Sequence, residues 1–183
     1  MGLFTTPSKM GSARKGFMHI ETDIERVREL AEAKEDQNWS FRTFLKGVDL
    51  SVKELDNIVH RHYKDIVRQI DCGTCANCCK EVSPKLSEED VTRLASCLGI
   101  SPSELTAAHL RPTEDGDTYY FRQKPCPFLQ NNRCTVYDAR PDDCRSFPHL
   151  HKDEFVFRLI QVVNNCSLCP IVYNVFERLK EEL

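Results

Sequence analysis

The chain has 183 residues, 25 basic against 28 acidic side chains, a formal net charge of −3, 40% hydrophobic residues and ten cysteines. That length suits one domain with extensions, and no apolar stretch approaches the ~18 residues a membrane helix requires. The near balance of charge also lacks the basic excess that a general nucleic-acid binder spreads along one face, so neither a membrane nor a nucleic acid is an expected partner.

Residues 1–19 mix Gly, Ser, Thr, Pro and Lys without apolar period and are expected to form a disordered leader. They offer only isolated Leu3, Phe4, Phe17 and Met18, with no apolar core of an export signal. The expected location is therefore the cytoplasm, where clustered thiols serve as metal ligands or redox groups more often than as disulfides. Met1-Gly2-Leu3-Phe4-Thr5-Thr6 fits the loose myristoylation pattern, which many unmodified chains also match.

Ile24, Val27 and Leu30 recur at helical spacing and predict a helix over about 22–36. Trp39, Phe41, Phe44 and Leu45 read as a short aromatic piece of core. Ser51 with Glu54 is a capping box, and the stripe from Val52 through Leu55, Val59, His62 and Ile66 to Ile70 predicts a long helix. This helix delivers Cys72 to a loop, Cys72-Gly73-Thr74-Cys75-Ala76-Asn77-Cys78-Cys79.

Ser87 and Asp90 start a helix through Val91, Leu94, Ala95 and Leu98 that Gly99 stops, and Ser101-Pro102-Ser103-Glu104 starts another through Leu105 and Ala108. The tight connection suggests helix-turn-helix DNA binding, but Glu104 and His109 give the second helix little basic character. Asp115-Gly116-Asp117 reads as a turn, and Tyr119–Phe121, Phe128-Leu129 and Thr135–Tyr137 as brief strands around an Asn131-Asn132 turn. The segment from Phe155 to Val163 fits strand or helix equally, and Pro170 opens a terminal amphipathic helix. The expected architecture is mainly α (α+β): a helical segment over 20–71, and a domain over 72–183 with a small β element around a multi-cysteine metal site.

Nine cysteines fall into four groups: Cys72, Cys75, Cys78 and Cys79; Cys126 and Cys134; Cys144; Cys166 and Cys169. In C-x-x-C the two intervening residues let both sulfurs converge on one ion, the recurrent spacing of zinc and iron–sulfur sites. Cysteines that were only small buried hydrophobes would scatter, as Cys97 alone does. A thioredoxin-like redox pair would sit singly after a strand, whereas this run follows a helix.

Nine thiols exceed one tetrahedral zinc site and suggest two sites or one polynuclear centre. The neighbours Cys78 and Cys79 leave the backbone in different directions, so they serve separate metals or only one of them ligates. For iron, C-x-x-C-x-x-C supplies three corners of a cube and a remote Cys-Pro the fourth; Cys126-Pro127 and Cys169-Pro170 both have that form.

Taken together, Cys72-x-x-Cys75-x-x-Cys78-Cys79, Cys126-Pro127-Phe128-Leu129 and Cys134-x-x-Tyr137-x-x-Arg140-Pro141-x-x-Cys144-Arg145-x-Phe147-Pro148 resemble the cysteine-cluster (CxxCxxCC) family, named for a zinc- or iron-chelating domain. That family includes the flagellin lysine N-methylases. The resemblance spans about 72–170 and implies eight or so metal-binding cysteines, with either Cys166 or Cys169 in the last position; residues 1–71 lie outside it.

Arg140 and Arg145 are placed to offset thiolate charge, or else to pair with Asp138, Asp142 or Asp143 at the surface. Tyr137 stands beside them in the motif and, with Phe147, reads as core packing. His149 and His151 read as loop histidines, and His62 as a satisfied imidazole on a helix face. The sequence thus points to a protein binding zinc, iron or an iron–sulfur cluster. An iron–sulfur-dependent group-transfer enzyme, related to the lysine N-methylases, is the alternative. A protein-binding module using helices 22–36 and 52–70 is compatible with either.

Overall fold

The computed structural model describes residues 19–183; the expected leader, but for its last residue, and the myristoylation pattern lie outside the described residues. The fold is mainly α-helical with two small antiparallel β elements.

Asp23 caps α1 (Ile24–Ala33) by accepting from the amides of Glu25 and Arg26 at 2.9 and 3.1 Å. The expected single helix over 22–36 is in fact two. The backbone leaves helical geometry at Lys34 and restarts as α2 (Glu35–Gly47). The break is tolerated because the Ala31 carbonyl, losing its helical partner, accepts from the Lys34 amide at 3.3 Å and from buried Asn38 Nδ2 at 3.4 Å. The aromatic patch is therefore a helix face: Leu45 is buried, and Phe41 meets Phe176 edge-on at 5.2 Å.

The Ser51–Glu54 capping box starts α3 (Val52–Val67), which ends three residues short of the expected Ile70. The chain next folds as two helical turns where a loop was expected, α4 (Cys72–Cys75) and α5 (Asn77–Glu81). Ala76, with φ of +50°, makes the corner between them.

Capping boxes at Ser87 and Ser101 open α6 (Glu88–Leu98) and α7 (Pro102–His109), and Gly99 ends α6 with φ of +69°. Strands β1 (Leu110–Pro112) and β2 (Tyr119–Phe121) pair antiparallel, and Leu86 bridges to the far side of β2. Asn131 and Asn132, both left-handed, close a hairpin of β3 (Leu129–Gln130) and β4 (Arg133–Cys134). A two-residue turn pairs the residues directly flanking it, so the second strand is Arg133–Cys134 instead of the expected Thr135–Tyr137, and Tyr137–Ala139 forms a 3-10 turn.

After α8 (Asp142–Ser146), the ambiguous segment from Phe155 resolves as a 3-10 turn, Phe155–Arg158, running into α9 (Leu159–Asn165). Buried Asp56 of α3 holds this segment by accepting from the amides of Glu154 and Phe155 at 2.7 and 2.9 Å. Pro170 opens α10 (Pro170–Glu182), which packs along α3.

Two hydrophobic cores result. The first joins α1, α2 and α3 to α9 and α10 around Val59, Ile66, Phe155, Phe176 and Leu179. The second gathers α6, α7, β1 and β2 around Leu86, Leu94, Leu105, Leu110 and Phe121. Cys169 is buried in the first, while Cys126 and Cys134 pack against the second. Among the described residues no single helix is long and apolar enough to cross a membrane; Phe155–Asn165 and Pro170–Glu182 reach that length only as a pair bent by 119°.

Candidate metal centre

The sulfur-bearing segments are pinned one at a time. Asp71 caps α4 by accepting from Gly73 N at 2.8 Å. Buried Asn77 then ties this turn to the start of α10, donating from Nδ2 to Leu168 O at 2.8 Å. The amide of Cys126 donates to the carbonyl of Cys79 at 2.8 Å, and Leu129 N donates to Cys126 O at 3.0 Å, so the hairpin hangs from α5. On its second strand Cys134 faces Leu129 in register.

Cys144 rides on α8, whose first amide, at Asp142, donates to buried Asp90 at 3.0 Å; Arg93 clamps both Asp90 and Asp142. The cysteine pattern did not reveal Asn77, Asp90 and Arg93. It did not reveal Asp71 either, since Cys72–Cys79 reads as a loop; the signal is a capping residue type directly before the run.

Cys72, Cys75, Cys78 and Cys169 line a common cavity of about 30 Å³, with Ile70, Asn77, Phe147, Pro148 and Leu168 among its other walls. The remote Cys-Pro that joins the C-x-x-C-x-x-C run there is thus Cys169-Pro170. Cys126-Pro127 goes elsewhere: Cys126 has Cys79 and Cys134 as charge neighbours, and Cys144 has Cys126, Cys79 and Cys134. Cys78 and Cys79 act strongly on each other's thiols, and as successive residues they set the two groups of sulfurs side by side.

Cys166 is not brought to the cavity. It is buried in the first core, where its thiol donates to Val162 O at 3.4 Å. Cys97 is exposed on α6, on the Cys134 side of the cluster.

Arg140 lies beside the sulfurs. Its charge reaches Cys72, Cys79 and Cys134, and its Nε is buried without a hydrogen-bond partner. Arg145 instead braces the local chain, bonding the carbonyls of Arg140 and Asp138 and standing 3.7 Å from Asp142. Tyr137 is not core packing: it is 57% exposed and lies over the Arg140 guanidinium.

The histidines find partners outside the cavity. His149 Nε2 stands 3.3 Å from Asp143, His151 Nε2 3.3 Å from Ser146 Oγ, and His62 Nε2 2.7 Å from Glu182.

Burial pushes the thiols of Cys126 up to about 11 and of Cys144 and Cys169 to about 12. At Cys78 the hydrogen bond with Cys79 and then burial act in the same upward direction, and that same bond holds Cys79 low. Among the described residues no three Cys, His, Asp or Glu side chains stand in ion-holding geometry.

The donor chemistry nevertheless fits zinc or iron. Thiolate ligands select these metals, four of them complete a tetrahedron, and a cavity of about 30 Å³ admits a guest of ion or water size. No curated protein and no solved structure matches the chain. The model of one family does, over residues 71–169, a span that holds all ten cysteines. On that match, covering more than half of its length, the chain belongs to the CxxCxxCC family, "Putative zinc- or iron-chelating domain".

Proposed function

We propose that this protein chelates zinc or iron through Cys72, Cys75, Cys78, Cys79, Cys126, Cys134, Cys144 and Cys169, with an iron–sulfur cluster as one form of the bound iron. The observation that carries the reading is the shared cavity. Three sulfurs from one short segment and a fourth from the distant start of α10 line a space of about 30 Å³. Buried thiols whose protons are held tightly gain from a divalent cation what they lack on their own, because coordination stabilises the thiolate. Because the ligands come from segments far apart in the chain, part of the binding energy is folding energy.

The test is anaerobic purification followed by an absorption spectrum and a count of zinc, iron and acid-labile sulfide per chain. Broad visible absorption with sulfide selects the cluster; a colourless protein with stoichiometric zinc selects mononuclear sites. A folded chain that takes up neither metal, with all its thiols free to titrate, sinks the reading. The ten cysteines are all unpaired, which suits a reducing compartment, and the cytoplasm is the proposed location.

A further inference from the structure

We infer that the eight sulfurs make two separate four-thiolate sites, divided at the peptide bond between Cys78 and Cys79. Cys72, Cys75, Cys78 and Cys169 hold one ion, and Cys79, Cys126, Cys134 and Cys144 hold the other. The inference rests on the chelation reading above and adds to it the number of ions and the ligands of each.

Cys78 lines the cavity with Cys72, Cys75 and Cys169, whereas Cys79 is not among its walls. The two are successive residues of α5, so their side chains leave the helix axis about 100° apart. One can face the first core while the other faces the second. On that other side the carbonyl of Cys79 accepts from Cys126 N at 2.8 Å, and Cys126 bonds Leu129, the register partner of Cys134. These contacts fix three of the second set by backbone alone.

Cys144, on the helix clamped by Asp90 and Arg93, completes it: three of its sulfur neighbours, Cys126, Cys79 and Cys134, are of this set, and one, Cys78, lies across the boundary. The division also follows the packing: Cys169 belongs to the first core, and Cys126 and Cys134 to the edge of the second. Each set has the four sulfurs that one tetrahedral ion takes. Cys78 and Cys79 are successive residues of one helical turn, so the two sites abut.

The experiment loads metal-free, reduced protein with Zn²⁺ alone, counts ions by native mass spectrometry, and maps protected cysteines by alkylation. The expected count is two ions in the wild-type chain and one in each of Cys78→Ser and Cys79→Ser. In Cys79→Ser, Cys126, Cys134 and Cys144 become reactive while Cys72, Cys75 and Cys169 stay protected; Cys78→Ser gives the converse. Should either variant fail to fold, wild-type protein at one equivalent of Zn²⁺ is expected to protect one set ahead of the other.

A single ion per wild-type chain overturns the division, as does a protected set at one equivalent that takes members from both sides. A folded chain that binds no Zn²⁺ and no Fe²⁺ overturns the chelation reading itself, and the division with it.

Discussion

The guanidinium carbon of Arg140 stands 3.7 Å from the centre of the Tyr137 ring. The ring holds the cation beside Cys72, Cys79 and Cys134, while the Arg140 carbonyl accepts from Arg145 Nε at 3.0 Å. Eight thiolates around two divalent ions leave excess negative charge, and a fixed cation lowers its cost. Arg140→Gln is expected to weaken Zn²⁺ binding by about 10-fold to 100-fold, with Arg140→Lys restoring part of it. Competition with a chromophoric chelator measures the effect, and equal affinities for wild type and Gln variant would remove Arg140 from the site.

Cys169→Ser is expected to lower metal content. Cys166→Ser is expected to leave it unchanged, since a serine hydroxyl can make the same bond to Val162 O. Elemental analysis of the two purified variants separates them, and metal loss in the Cys166 variant would contradict the placement described above.

Asp56 is 5% exposed and its two oxygens accept from Glu154 N and Phe155 N. Asp56→Ala strands two buried amides and is expected to cost about 3 kcal/mol, because hydrogen bonds to a charged group are worth roughly 1.5–3 kcal/mol each. Urea unfolding of the metal-free protein reads this directly; a change below about 1 kcal/mol would mean that water replaces the carboxylate.

Glu177 lies between two lysines, 2.7 Å from Lys180 Nζ on one oxygen and paired with Lys34 on the other. Burial alone would raise its carboxyl, but the hydrogen bonds and charges of Lys180 and Lys34 outweigh that and hold it below its ordinary value of 4.5. A carboxylate whose folded value is depressed stabilises the fold fully above the unfolded value. That contribution is lost as pH falls through the folded one. Glu177→Gln is therefore expected to reduce stability at pH 6–7 and to flatten the loss of thermal stability below about pH 4.5. Melting curves from pH 3 to 7 with a metal chelator present test it; parallel wild-type and variant profiles would contradict the assignment.

Gly99 closes α6 at φ of +69°, with open space where a Cβ would stand. Gly99→Ala is expected to cost about 1 kcal/mol through backbone strain alone, visible as a lowered denaturation midpoint. A neutral result would show that α6 can end one residue earlier.

The helices and their starts were legible because their causes are local. Ser51, Ser87 and Ser101 each have an acid three residues on, and all three make reciprocal caps. The break at Lys34 was not legible, because the apolar stripe runs on across it and the deciding partner, Asn38, acts through a tertiary turn. At the centre, spacing identified Cys72, Cys75 and Cys78 as a set. Spacing could not choose between Cys166 and Cys169, three residues apart in the connection from α9 to α10. That choice depends on which of them meets Ile70 and Leu168 across the cavity. Tyr137 was misread for the same reason: an aromatic residue in a motif suggests burial, and here the ring covers a cation.

The cavity lies where α3 hands the chain to Cys72 and where Cys169 begins α10, so two helices packed along each other meet it at one end. An ion seated there works as a buckle between points about a hundred residues apart in the chain, and fastening so long a span withdraws conformational freedom from the unfolded chain much as a covalent cross-link would. Unfastening it would not melt the first core, which has its own contacts. It would loosen the α4–α5 turn from the start of α10, so metal loss is expected to register first as lost protection of that turn in hydrogen exchange.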